Sequence, residues 1–164
     1  MNNIKKYNSE LKGKIQCDLN VDRTKFLDYN NQNYIISACY HLNKSTNTKT
    51  GSMNINNLIK PLEKVDNKID LNFGVLDFKF FNYDFKLYTI TANSDDSFSF
   101  IELNMDEDHN LNFFHKKTIN CQSPKTDTNN VVEISNDNNT LLFGLNDGTI
   151  KAYDCGKEKF VNNF

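Results

Sequence analysis

The sequence predicts an all-β fold made of repeated four-stranded antiparallel units. Phe, Tyr, Thr, Ile and Val dominate its apolar segments, residue types that suit a pleated, half-buried surface. Asn or Gly interrupts those segments every six to ten residues, too often for helices of ordinary length. A strand, turn, strand, hairpin, strand pattern recurs three times along the 164 residues.

The carboxy-terminal unit is the clearest. Val131, Val132 and Ile134 form a short apolar strand, "SNDNN" turns the chain, and Thr140 to Leu145 form a second strand. Asn146-Asp147-Gly148 then turns into a third strand, Thr149 to Tyr153. Asp-Gly supplies the positive φ that a tight hairpin requires.

Residues 74 to 103 repeat the plan: Val75, Leu76, Phe78 and Phe80, then Leu87 to Ala92, a turn at Ser94-Asp95-Asp96, and Ser97 to Leu103. Superimposing the turns aligns Asp95 with Asp147, Phe98 with Ile150, Ile101 with Tyr153 and Glu102 with Asp154. A fainter copy comprises Lys25 to Tyr29, Tyr34 to Ala38 and Ser52 to Asn56, with Gly51 in the turn position. Its polar stretch "CYHLNKSTNTKT" reads as a surface loop.

The turn positions Thr50, Asp95 and Asp147 stand 45 and 52 residues apart, close to the length of a four-stranded propeller blade. Outer fourth strands are expected within residues 58 to 72, at Leu111 to Cys121 and at Lys159 to Phe164. Only residues 57 to 65 offer a short helix as an alternative, and Pro61 argues against it.

Tyr153-Asp154 stands where many WD-repeat blades carry Trp-Asp. The expected architecture is therefore a WD-repeat β-propeller of about three blades, spanning roughly 22–72, 73–121 and 129–164. Propellers close with about four to eight blades. Three blades leave apolar faces uncovered, which either further blades of a longer chain or a partner would complete; because the chain stops within a strand at "KEKFVNNF", it reads as a fragment of a longer propeller.

Charge narrows the function. A net charge of -2 and a pI near 5.9 give no overall attraction to nucleic acid or anionic membrane. Arg23 is the single arginine, which leaves little for bidentate phosphate or base recognition. The sequence contains no apolar run of membrane-spanning length, and "MNNIKKYNSE" lacks the apolar core of a signal peptide. These features predict a cytoplasmic protein. Cys17, Cys39, Cys121 and Cys155 lack metal-knuckle or redox-motif spacing and are expected as free thiols. No metal or other cofactor is expected.

The catalytic motifs sought are a Gly-x-Ser-x-Gly elbow, a phosphate loop and a His-Glu-x-x-His helix, and the sequence holds none of them. His109, in the acidic loop "MDEDHN", and His115, in a strand, read as ordinary surface residues. Cys39 and His41 are two residues apart and share a strand face, an arrangement compatible with a nucleophile and base as well as with a structural cysteine.

The order of segments resembles the amino-terminal blades of the diphthine methyl esterase family of WD-repeat proteins. The matching stretches are Ala38-Cys39-Tyr40-His41-Leu42, a polar insertion with "TGSMNI", and Val75-Leu76-Asp77-Phe78-Lys79, followed by "TANSDDSFSFIEL". Phe80 replaces an aromatic that is usually Trp. The resemblance implies hydrolysis of the methyl ester on methylated diphthine, which is built on a histidine of elongation factor 2, before amidation to diphthamide. Elongation factor 2 is then the implied partner. No family motif transfers catalytic roles to numbered residues; Cys39, His41 and Asp77 are the candidates. The other function the sequence permits is a noncatalytic WD-repeat scaffold that binds proteins.

Overall fold

A computed structural model describes residues 15–59, 65–121 and 129–161. Among these residues there is no helix, and therefore none long and apolar enough to cross a membrane. The described residues form twelve strands: β1 (Asn20–Tyr29), β2 (Gln32–Asn43), β3 (Thr48–Asn57), β4 (Asn67–Leu71), β5 (Val75–Tyr83), β6 (Lys86–Asn93), β7 (Ser97–Met105), β8 (Leu111–Asn120), β9 (Asn129–Ile134), β10 (Thr140–Leu145), β11 (Ile150–Asp154) and β12 (Lys159–Val161). They pair into three four-stranded antiparallel sheets, β1-β2-β3-β4, β5-β6-β7-β8 and β9-β10-β11-β12.

The first strand of each sheet carries the same irregularity. Register slips between Val21 and Arg23, between Val75 and Asp77, and opposite Gly144 and Leu145. The extra residues are Asp22, Leu76 and Asn130, equally spaced along the chain. Positive φ recurs at the same interval in the following turns, at Asn30 (51°), Asp84 (49°) and Asn138 (55°). A bulge bends a strand and increases its twist, so all three units bend alike.

Alternation along the strands sets how the sheets pack. Leu27, Ile36, Ala38, Met53 and Ile55 of the first sheet meet Val75, Phe78, Ile101 and Leu103 of the second. The second sheet's other face presents Phe81, Ile90, Ala92, Phe98 and Phe100 to Val132, Leu141, Phe143 and Tyr153 of the third. Phe98 is the centre of this second core, stacked on Phe143 at 4.2 Å and edge-on to Tyr153 at 5.1 Å. The middle sheet is thus buried on both faces.

That order makes equivalent positions differ in burial. Met53 pairs with Ala38, Phe98 with Ala92 and Ile150 with Gly144. Met53 and Phe98 are fully buried by the next sheet, whereas Ile150, on the last sheet, is 64% exposed.

One expectation is corrected. "CYHLNKSTNTKT" is not a loop: Cys39 to Asn43 pair with Ser52 to Thr48, and only residues 44–47 turn. Gly51 lies inside β3, paired with Tyr40, rather than at a turn; a Cβ there would meet the carbonyl oxygens of Cys39 and Phe73 at 2.6 Å, which is why the position takes glycine. Backbone pairing continues regardless of side-chain polarity, so a polar segment can still be ladder. The expected fourth strands are β4, β8 and β12; Pro61 and residues 162–164 lie outside the described residues.

Candidate functional site

The three first strands lie next to one another, β1 against β5 and β5 against β9. Just past each bulge, several side chains are charged: Arg23 and Lys25 on β1, Asp77 and Lys79 on β5, and Glu133 on β9. Asp77 is buried there, with its side chain only 6% exposed. Its Oδ1 faces Arg23 Nε at 3.6 Å and Lys25 Nζ at 4.0 Å, and its Oδ2 accepts the Val132 backbone N–H at 3.2 Å. One carboxylate therefore links all three sheets.

A second ion pair extends the row. Lys79 Nζ donates to Glu133 Oε2 at 2.6 Å, and this hydrogen bond holds the Glu133 carboxyl below its usual range. Burial pushes the Lys25 ammonium below the ordinary lysine range, and the opposing charge of Asp77 resists that shift. Lys25 also sits over the Phe78 ring, 5.4 Å from its centroid. Arg23, half in water, has donors to spare for an anion or carbonyl oxygen.

Cys39 and His41 belong to a different place. Both lie on β2, opposite Ser52 and Thr50, on the face of the first sheet turned away from the second. Alternation does put them on one face, as their spacing requires. Cys39 is fully buried and its thiol is pushed up to about 11, chiefly by burial, while His41 is exposed. A thiol in that state is protonated at neutral pH and a poor nucleophile. Asp77, on β5, lies in a different sheet; the structure does not gather the three candidates into one site.

The other histidines have clear surroundings. His115 Nε2 lies 2.8 Å from Thr118 Oγ1, which is 2.8 Å from Ser99 Oγ, and Asn93 Nδ2 donates to Ser99 and Ser97. This network braces β6, β7 and β8. The acidic loop is organised by Asp106, whose Oδ1 accepts the backbone N–H groups of Asp108 and Asn110. The Asn110 N–H in particular holds its carboxyl below the usual range. Among the described residues, no group of three or more His, Cys, Asp or Glu side chains is arranged to hold a metal ion.

A groove that the sequence did not reveal opens between the second and third sheets. Tyr83, Tyr88 and Phe100 line a cavity of about 120 Å³, with Lys116, Lys117, Cys155 and Glu158 around it. Lys117 Nζ lies 4.8 Å from the Phe100 ring centroid and pairs with Glu158 Oε1 at 2.5 Å. No single segment contains this site. Tyr83 and Glu158 are brought together only by the packing of two sheets.

Compared with known proteins, the chain matches no family model and no curated protein.

Proposed function

We propose that the three sheets are consecutive blades of a WD-repeat β-propeller, and that the protein removes the methyl ester from methylated diphthine on elongation factor 2. The observation that carries this reading is the order of motifs on equivalent strands. Ala38-Cys39-Tyr40-His41-Leu42 runs along the second strand of one sheet, "TGSMNI" along its third, and Val75-Leu76-Asp77-Phe78-Lys79 opens the next sheet. The shared bulge and the common burial of Met53 and Phe98 support reading the sheets as blades.

In a propeller the first strands line the central channel, so Arg23, Lys25, Asp77, Lys79 and Glu133 belong to its wall. Hydrolysis adds water to the ester carbonyl, expels methanol and leaves a carboxylate. The tetrahedral intermediate carries an oxyanion, which needs fixed donors. Arg23 and Lys25, oriented by Asp77, are the groups of this chain suited to that task, and they also suit the carboxylate product. Water is the nucleophile in this reading, because the Cys39 thiol is buried and protonated. The reaction belongs to the cytoplasm, where elongation factor 2 works.

The test is deletion of the gene followed by mass spectrometry of elongation factor 2. Accumulation of methylated diphthine, reversed by the wild-type gene, is expected. Unchanged modification would eliminate the enzyme reading and leave a noncatalytic scaffold. The aromatic groove at Tyr83, Tyr88 and Phe100 favours that second reading, since aromatic walls with a charged rim suit an apolar side chain of a bound protein.

A further inference from the structure

We propose that the groove between the second and third sheets holds an extended, acidic segment of a partner protein that carries two large apolar side chains two residues apart. The inference rests on the protein-binding reading of the aromatic groove and deepens it; it does not depend on the esterase reading.

The two junctions between sheets are built from equivalent residues, so one serves as a control for the other. The pairing of Ala38 with Met53 and of Ala92 with Phe98 puts Tyr88 in the place of Tyr34 and Phe100 in that of Ile55. The two-residue turns after β1 and β5 put Tyr83 in the place of Tyr29. At the first junction Tyr34 and Ile55 border a cavity of only about 10 Å³. Asn67 of β4 fastens the outer strands there by donating to the Leu111 carbonyl at 3.2 Å and to Asn112 Oδ1. At the second junction the same place is a cavity of about 120 Å³. Cys155 stands there in the position of the larger Leu103, and a link from β8 to the third sheet runs through the Lys117–Glu158 ion pair. Packing of this kind can close the position, and the second junction leaves it open.

The opening continues past that ion pair. Lys117 and Glu158 also border a trough of about 530 Å³ with Ile119, Tyr153 and Phe160 on its apolar wall. The pair thus divides one groove into two apolar compartments. Phe100 lines one and Tyr153 the other, and their ring centroids are 6.3 Å apart. Side chains two residues apart on an extended chain leave the same face about 6.6–6.8 Å from each other, so one strand of a partner reaches both compartments.

Charge selects the partner. Lys116 is held at 2.9 Å by Glu102, whose side chain is buried. Among the described residues bordering the trough, Lys117 and Lys159 face one carboxylate, that of Glu158. The Glu158 side chain is 69% exposed, and an ion pair in water is worth about 0–1 kcal/mol. A partner's carboxylate therefore exchanges with Glu158 at little cost, and the excess positive charge favours an acidic segment over a basic one.

Fluorescence anisotropy of the full chain tests this with a labelled short peptide that has leucine and phenylalanine two positions apart and aspartate at the positions around them. Two companion peptides carry lysine in place of aspartate, or serine in place of both apolar residues. Saturable binding of the acidic apolar peptide is expected, weakened by added salt and weakened about tenfold by Lys117→Glu. Glu158→Gln should instead tighten it about threefold, a gain that damage to the fold would not produce. Lys44→Glu, in the β2–β3 turn, should leave it unchanged, and far-ultraviolet circular dichroism should be the same for all variants. Equal binding of the serine peptide, indifference to both Lys117→Glu and Glu158→Gln, or self-association of the chain abolished by Lys117→Glu, which would make the occupant a second copy, would each overturn the proposal. Binding of the lysine peptide in place of the acidic one overturns the acidic partner and keeps the groove as a protein site. Absence of saturable binding by all three peptides up to about 1 mM removes both.

Discussion

Asp77 shows how much one buried carboxylate decides. It faces cations from β1 and an amide from β9, so its charge is matched and its desolvation offset. Asp77→Asn keeps the shape and removes the charge. Because Arg23 is half solvated, the expected loss is modest, about 1–2 kcal/mol, read from urea unfolding. The same change should push the Lys25 ammonium further down in an NMR titration, since Asp77 is what opposes its burial. Glu102 provides a second check. Its carboxyl is held low first by the hydrogen bond from Lys116, at 2.9 Å, with Lys86 adding to it. A depressed carboxyl contributes stability that is present above its unfolded pKa, about 4.3, and lost as pH falls through the folded value. Lys116→Met should therefore raise the Glu102 pKa toward the ordinary range and flatten the acid side of the stability profile. At this scale the sequence is legible in kind only. Spacing puts Cys39 and His41 on one strand face, but the surroundings of the thiol depend on residues of another strand, Asn54 of β3 among them.

At the level of strands and turns the sequence carries more. The two-residue period, the Asn-rich breaks and the Asp-Gly turn are local signals, and β5 to β11 fall close to where those signals put them. The β2–β3 hairpin escapes them because its polarity imitates a loop, whereas the ladder is held by backbone groups that polarity does not report. The repeated bulge escapes them as well, since an extra residue leaves no mark in composition. Phe85 is a turn residue that local rules argue against. It holds φ at 59° in the β5–β6 turn with its ring fully in water. A bulky residue in the left-handed region is strained, and this turn type favours Gly or Asn at both central positions. Phe85→Gly should stabilise the protein by about 1 kcal/mol, measured as a higher urea midpoint with an unchanged slope.

Over the whole molecule, stability is shared unevenly among three sheets because the middle one has another sheet packed on each face. Phe98 touches Phe100, Phe143, Tyr153 and Phe160, so Phe98→Ala removes contacts in two sheets and should cost about 3–5 kcal/mol. Ile150 occupies the equivalent place in the last sheet with no sheet beyond it among the described residues, and Ile150→Thr should change stability by no more than about 0.5 kcal/mol. Thermal or urea unfolding of the two variants side by side checks both. By itself the sequence determined the all-β class, the number of units and most strand positions, because alternation and turn chemistry act between residues close in the chain. Which faces are buried, the polar contacts joining Arg23, Asp77 and Val132, and the aromatic groove were decided only by the tertiary structure. Each depends on the distance and orientation between sheets, and those are set by packing among residues that no local pattern relates.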